Sequence, residues 1–140
     1  MVISDFPNLT AGSFSITSPP STEYNCIAWA ANDAGNWWWP DLADSYWPEG
    51  VPREETLPAF VAAYATLGYS PCKDGSPEAG FEKIAIYSNA DGPQHVARQL
   101  PSGRWTSKLG KHEDIEHDAL ERLECGLYGQ PNCFLKRPRR

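Results

Sequence analysis

The clearest periodicity lies at residues 57–67. Leu57, Phe60, Val61, Tyr64 and Leu67 recur at the i, i+3, i+4, i+7 spacing of one apolar helical face. Thr56 caps the start, Pro58 falls in the first turn and Gly68 closes the end. The opposite face is alanine-rich, as suits a structural helix. The period then changes. Residues 81–87 alternate as a half-buried strand does, and Asn89-Ala90-Asp91-Gly92-Pro93 has turn chemistry. Residues 96–100 and 105–109 predict two more strands, joined through Pro101-Ser102-Gly103-Arg104. A helix over 26–34 is expected between an Asn25 N-cap and Gly35. A third, shorter helix is expected over 114–124, with Asp114 and Glu116 at its N-terminus and Gly126 beyond it. Residues 13–17 and 133–136 predict short strands, the second at an edge. Residues 36–53 fit no period. Pro40, Pro48 and Pro52 exclude a regular helix or central strand there, and this long loop carries four of the six tryptophans.

These elements predict an α+β domain, with the helix carrying Cys26 packed on an antiparallel sheet of at least three strands from 81–110. The length of 140 residues fits one domain over 1–140, with an irregular lead-in over 1–20 and a basic tail over 137–140. A net charge of −6 argues against a general nucleic-acid binder, so the run Lys136-Arg137-Pro138-Arg139-Arg140 reads as a solvated end. No apolar stretch approaches the roughly 20 residues that span a bilayer. The opening residues lack the pattern of a signal peptide. A cytoplasmic protein is the expectation, with delivery as an effector left open. The four cysteines form no Cys-x-x-Cys pair, and reduced thiols are the default. A Cys72–Cys125 or Cys125–Cys133 disulfide stays open.

The candidate chemistry starts in Tyr24-Asn25-Cys26-Ile27-Ala28-Trp29-Ala30-Ala31. A thiol in the first turn of a helix feels the positive end of its dipole, which predicts a lowered pKa and a larger thiolate fraction. The other reading is a structural cysteine packed as a small hydrophobe. His95 opens a predicted strand just after a Gly-Pro turn. Ser107, on the neighbouring strand, is placed to orient the imidazole. Nucleophile, base and orienting group form the general arrangement for covalent catalysis.

Cysteine at a helix start, histidine opening a strand and a polar residue on the next strand resemble the papain-like superfold. The order is most similar to its compact NlpC/P60 and CHAP branches, over about residues 20–110. The chain also resembles an uncharacterised bacterial family marked by Tyr-Asn-Cys-Ile-Ala-Trp-Ala, Trp-Trp-Trp-Pro and Trp-x-Ser-Lys-x-Gly, here residues 24–30, 37–40 and 105–110. That second resemblance implies no established activity. The papain-like one implies a cysteine peptidase or amidase. Ser107 departs from the His, Asn, Gln, Asp or Glu that orients the base in those branches, and Asp114 is a rival orienter.

On this reading Cys26 attacks a carbonyl, His95 takes and returns the proton, and water or an amine resolves the thioester. The partner is a peptide or protein substrate, and the bond is a peptide bond, an isopeptide bond or a glutamine side-chain amide. An unknown protein partner is also left open. Cys26 and His95 are expected within about 4 Å of each other, on one side of the sheet. The Cys26 backbone N–H is the natural first oxyanion donor, and the Asn25 amide or the Tyr24 hydroxyl is the second. Trp37, Trp38, Trp39 and Trp47 are expected to border the cleft. No cofactor is expected. No metal is expected either, because His112 and His117 match no zinc spacing. His117 reads as a surface or packing residue of the third helix. Lys108 neighbours Ser107 but projects to the other face of its strand, so no Ser-Lys dyad forms. The competing class is a non-catalytic peptide- or glycan-binding module, with the tryptophan loop as clamp.

Overall fold

The computed structural model describes residues 5–41 and 44–139. Residues 1–4 of the lead-in, 42 and 43 of the tryptophan loop and 140 of the basic tail lie outside the described residues. Seven strands form one antiparallel sheet: β1 (Phe14–Ser18), β2 (Ser70–Cys72), β3 (Phe81–Asn89), β4 (Gly92–Gln99), β5 (Trp105–Lys108), β6 (Asp114–His117) and β7 (Gln130–Pro138). Their order across the sheet is β1-β6-β5-β4-β3-β7-β2. Among the described residues two short α-helices accompany it, α1 (Cys26–Ala30) and α2 (Leu57–Ala65). The α+β, papain-like expectation is therefore corrected: the fold is mainly β.

Three corrections to single elements explain that outcome. The helix at Cys26 has five residues and does not reach Gly35. Asn32 takes φ 63° just past the Ala31 C-cap. The Asn32 N–H bonds the Trp29 carbonyl and the Asp33 N–H bonds the Ala28 carbonyl, both at 2.9 Å. That is a Schellman closure with asparagine in the position usually given to glycine. The expected helix over 114–124 is instead β6 followed by a 3-10 turn at Leu120–Leu123. Acids near a segment's start favour a helix only where no better partner exists. Here 114–117 pairs with β1 on one side and β5 on the other. Lastly, the expected edge strand at 133–136 is part of a nine-residue strand lying between β3 and β2. Its Arg137 is buried, 3.6 Å from Glu82 and over the Tyr69 ring, so the expectation of a solvated basic end is corrected at that residue.

Both faces of the sheet are covered. On one, Ile84, Ile86, Val96 and Leu135 pack against α1, α2 and the tryptophan loop. On the other, Ala85, Tyr87, Ala97, Trp105 and Ile115 pack against Phe6, Leu9, Leu123 and Tyr128. Burial on both faces makes Glu82–Tyr87 buried throughout, where strict alternation of apolar and polar residues would mark one wet face. The α2 face also differs from its periodicity. Ala59, Phe60, Ala63 and Tyr64 are buried, while Leu57, Val61 and Leu67 are half-buried. Two alanines four apart let the helix lie close to its neighbours, and the Tyr64 hydroxyl reaches the Ile27 carbonyl at 2.7 Å.

Candidate functional site

Asn25 ties α1 to the tryptophan loop. Its Oδ1 accepts the Ala28 N–H at 3.1 Å and the Trp38 N–H at 3.2 Å, and its Nδ2 donates to the Trp38 carbonyl at 2.7 Å. This places Trp37 and Trp39 beside Cys26 in a cleft of about 290 Å³, whose wall is completed by Asn25, Gln94, Gly110 and Tyr128. Trp38 and Trp47 do not line it. They are buried, against Tyr64 and Phe60 respectively. The indole N–H of Trp38 donates to Asp33 at 2.8 Å and that of Trp47 to the Pro52 carbonyl at 3.0 Å.

Cys26 is itself buried. Burial pushes its thiol up to about 11, against the backbone N–H groups of Val96, Ile27 and Cys26 and the charge of Lys108, which favour the thiolate. The expectation of a lowered thiol pKa is thereby reversed. A five-residue helix has a weak dipole, and the loss of water dominates.

His95 is fully buried and stacks on Tyr128, with ring centroids 4.3 Å apart and planes within 7°. Its Nε2 lies 3.0 Å from Ser107 Oγ, which lies 2.8 Å from His117 Nε2. His117 Nδ1 lies 3.0 Å from the Ala119 carbonyl. Tyr87, Trp105, Ser107, Ile115 and His117 share this face, as the pairings Tyr87↔His95, Trp105↔His117 and Ser107↔Ile115 require. Burial drives the His95 imidazole well below its ordinary pKa, with His117 adding to the effect. Burial takes His117 down to about 4. Both rings are neutral at pH 7.

The structure thus brings His95 and Ser107 together, adds His117, and does not bond the thiol to the imidazole: among the described residues His95 Nδ1 has no hydrogen-bond partner. Val96, the next residue, faces the α1 side with Cys26, so His95 points to the other face of the sheet, and the expectation of thiol and imidazole on one side of it is corrected. Among the described residues, β4 and β5 pair only at Arg98↔Thr106 and Gln99↔Trp105. Before that point the two strands part. The thiol meets the Val96 N–H from the α1 side of β4, and the His95 ring bridges from β4 to Ser107 on the other side.

Asp114 and Tyr24 lie on the α1 side. The Tyr24 hydroxyl donates to Asp114 Oδ2 at 2.7 Å, and Thr17 donates to its other oxygen. Asp114 is therefore engaged away from His95, and the Tyr24 proton and the Asn25 amide are both committed to other acceptors. Lys108, fully buried, donates to the carbonyls of Ser21 at 2.9 Å and Gly110 at 2.6 Å and lies over the Tyr24 ring. Gln94 is the amide that does face the cleft, held only by long contacts of 3.4–3.5 Å to Gly92 and Asn89.

Three residues at this centre escape a reading of the sequence: Gln94, His117 and Tyr128. A strand assigned to 114–117 would have put His117 on the Ser107 face. Tyr128 carries no such signal, because it arrives on the turn closed by the Cys125–Gly129 bridge. Among the described residues no cluster of three or more His, Cys, Asp or Glu side chains is placed to hold a metal ion. The four cysteines are free thiols.

A family model described as a domain of unknown function, DUF7689, matches residues 15–136. The chain belongs to this family. Comparison with curated proteins and with solved structures finds no match. The DUF7689 match takes in β1 through most of β7, and with them every residue of the cleft and of the histidine–serine–histidine chain. Among the described residues of this DUF7689 chain, no helix is long and apolar enough to cross a membrane.

Proposed function

We propose that the protein is a thiol-dependent acyl-transfer enzyme, acting on an amide of a peptide or protein. Cys26 is the nucleophile and His95 its general base. The observation that carries this reading is the state of His95. Its ring is pinned at Nε2, its buried Nδ1 has no partner among the described residues, and it stacks on Tyr128, which also lines the Cys26 cleft, so thiol and imidazole approach through the open end of the β4–β5 ladder and not along one face of the sheet. A buried polar atom without a hydrogen bond is costly, and such atoms recur where chemistry needs them. Trp37 and Trp39 supply an apolar wall that excludes water from the acyl group, and Gln94 joins the Cys26 backbone N–H as oxyanion donor. The resting centre is a neutral thiol and a neutral imidazole, so the proton moves as the sulfur attacks.

The test is alkylation of the thiol by iodoacetamide, read residue by residue by mass spectrometry at pH 7.5. A general base contributes about 10²–10⁴-fold. Cys26 should label at least tenfold faster in the native chain than in His95→Asn at equal folded fraction. Labelling at the slow rate of an isolated thiol with a pKa of about 11, unchanged in His95→Asn, would leave Cys26 as a packing residue. The tryptophan cleft would then be a binding site without catalysis.

A further inference from the structure

Hydrogen-bond chemistry fixes the proton positions along the chain of groups behind His95. The Ala119 carbonyl can only accept, so His117 Nδ1 carries a proton. A neutral His117 then has a bare Nε2, which accepts the Ser107 hydroxyl proton. Serine has one hydrogen to give. Its oxygen must therefore accept from His95, and His95 carries its proton on Nε2. The Nδ1 of a neutral His95 is left as a bare lone pair, the same atom that has no partner among the described residues.

We propose that His117 is the positioning residue of this centre: through the Ser107 hydroxyl it holds His95 in the Nε2–H tautomer, with the Nδ1 lone pair free to take the thiol proton. The proposal rests on the reading of Cys26 and His95 as nucleophile and base. A serine alone could not do this work, because its hydroxyl turns freely and would donate to His95 Nε2 as readily as accept from it. His117 removes that freedom, and the Ala119 backbone in turn removes the freedom of His117. In the acylation step the Sγ–H bond breaks and an Nδ1–H bond forms while the sulfur electron pair forms a C–S bond and the carbonyl π pair moves to oxygen; collapse of this adduct breaks the C–N bond, and the amine leaves with the Nδ1 proton. In between, the imidazolium donates from Nε2 to Ser107, whose own proton stays directed at His117. The charged groups facing His117 are Asp118, which favours its protonation, and Arg104, which opposes it.

The tautomer can be read without any substrate. Two-bond ¹⁵N–¹H correlation spectra of histidine-labelled protein distinguish Nε2–H from Nδ1–H rings. His95 should show the Nε2–H pattern and His117 the Nδ1–H pattern. In His117→Leu, Ser107 is released to donate to His95, so His95 should change to the Nδ1–H form and Cys26 alkylation should slow at least tenfold. His117→Gln keeps an acceptor for Ser107 and should restore both. Should the leucine variant fail to fold, Ser107→Ala breaks the same chain with little change in volume. An Nδ1–H pattern for His95 in the unaltered protein overturns the proposal, as does a folded His117→Leu with tautomer and rate unchanged. Failure of the acyl-transfer reading looks different: the tautomers come out as argued, but His95→Asn leaves Cys26 alkylation where it was.

Discussion

Single buried residues hold this site in shape, and Asn25 holds most of it. Its side chain makes three hydrogen bonds that join the start of α1 to the backbone of Trp38. Asn25→Ala leaves two N–H groups and a carbonyl unpaired beside the cleft. A lost cap costs about 1 kcal/mol and each abandoned buried polar group about 1–3 kcal/mol. Asn25→Ala should therefore lose several kcal/mol in urea unfolding, on the order of 3. Asn25→Asp keeps the cap but cannot donate to the Trp38 carbonyl, and it should also be destabilised. Lys108 is the second such residue. Lys108→Met keeps the volume but strips two carbonyls of their donor. Each buried carbonyl left without its donor costs about 1–3 kcal/mol, and an unfolding free energy within about 1 kcal/mol of the native value would refute that role.

At the scale of elements, the tryptophan loop divides its indoles between two tasks. Trp38 fills the space over Tyr64, while Trp37 and Trp39 face the cleft. Trp38→Ala should cost about 3–5 kcal/mol by leaving a cavity. Trp37→Ala, at a half-buried position, should shift the melting temperature far less and instead weaken occupancy of the cleft, read by quenching of the remaining indoles with peptide amides. The strands at 81–87, 96–100 and 105–109 were legible because alternation and turn residues coincide. The ends of α1 and β6 were not. Asn32 serves as a left-handed cap, a position asparagine tolerates, and the loop beyond it is tied back through Asp33 and Trp38, a tie that is tertiary. His117 was hidden for a related reason: polar residues at 114, 116 and 117 read as a wet helix until Ser107 and the Ala119 carbonyl are seen to satisfy one of them. Cys26 and His95 stood out by residue type. That they stand on opposite sides of β4, beside the place where β4 and β5 part, leaves no mark on the local pattern.

For the molecule as a whole, two histidines buried as neutral rings set the response to acid. His117 titrates near 6.5 when unfolded and at about 4 when folded, and His95 is lowered as well. Between those values the unfolded chain binds more protons than the folded one, so stability rises with pH there and falls as the solution is acidified. His117 alone accounts for about 3 kcal/mol lost between pH 6.5 and pH 4, at about 1.4 kcal/mol per unit. Thermal melts across that interval should show the decline, and His117→Gln should make it shallower, with His95 carrying what remains. A flat profile in the native chain would mean that neither ring is buried in its neutral form.

The place of β7 governs when the domain can come into being during synthesis. Residues 130–138 lie between β3 and β2, which are made first and have no direct pairing with each other across that position. A ribosome that has released residues 1–125 has therefore exposed a helix pair, a cleft still lacking its Tyr128 wall and five adjacent strands with an open edge at β3, which is a template for pairing with another chain. Nascent chains stalled before residue 130 clears the exit tunnel should be cut readily by protease and held by chaperones. Chains stalled some 40 residues beyond 138 should resist cutting. A synthetic peptide of residues 128–139, supplied to a fragment ending at 127, should restore that resistance by filling the vacant lane in the sheet.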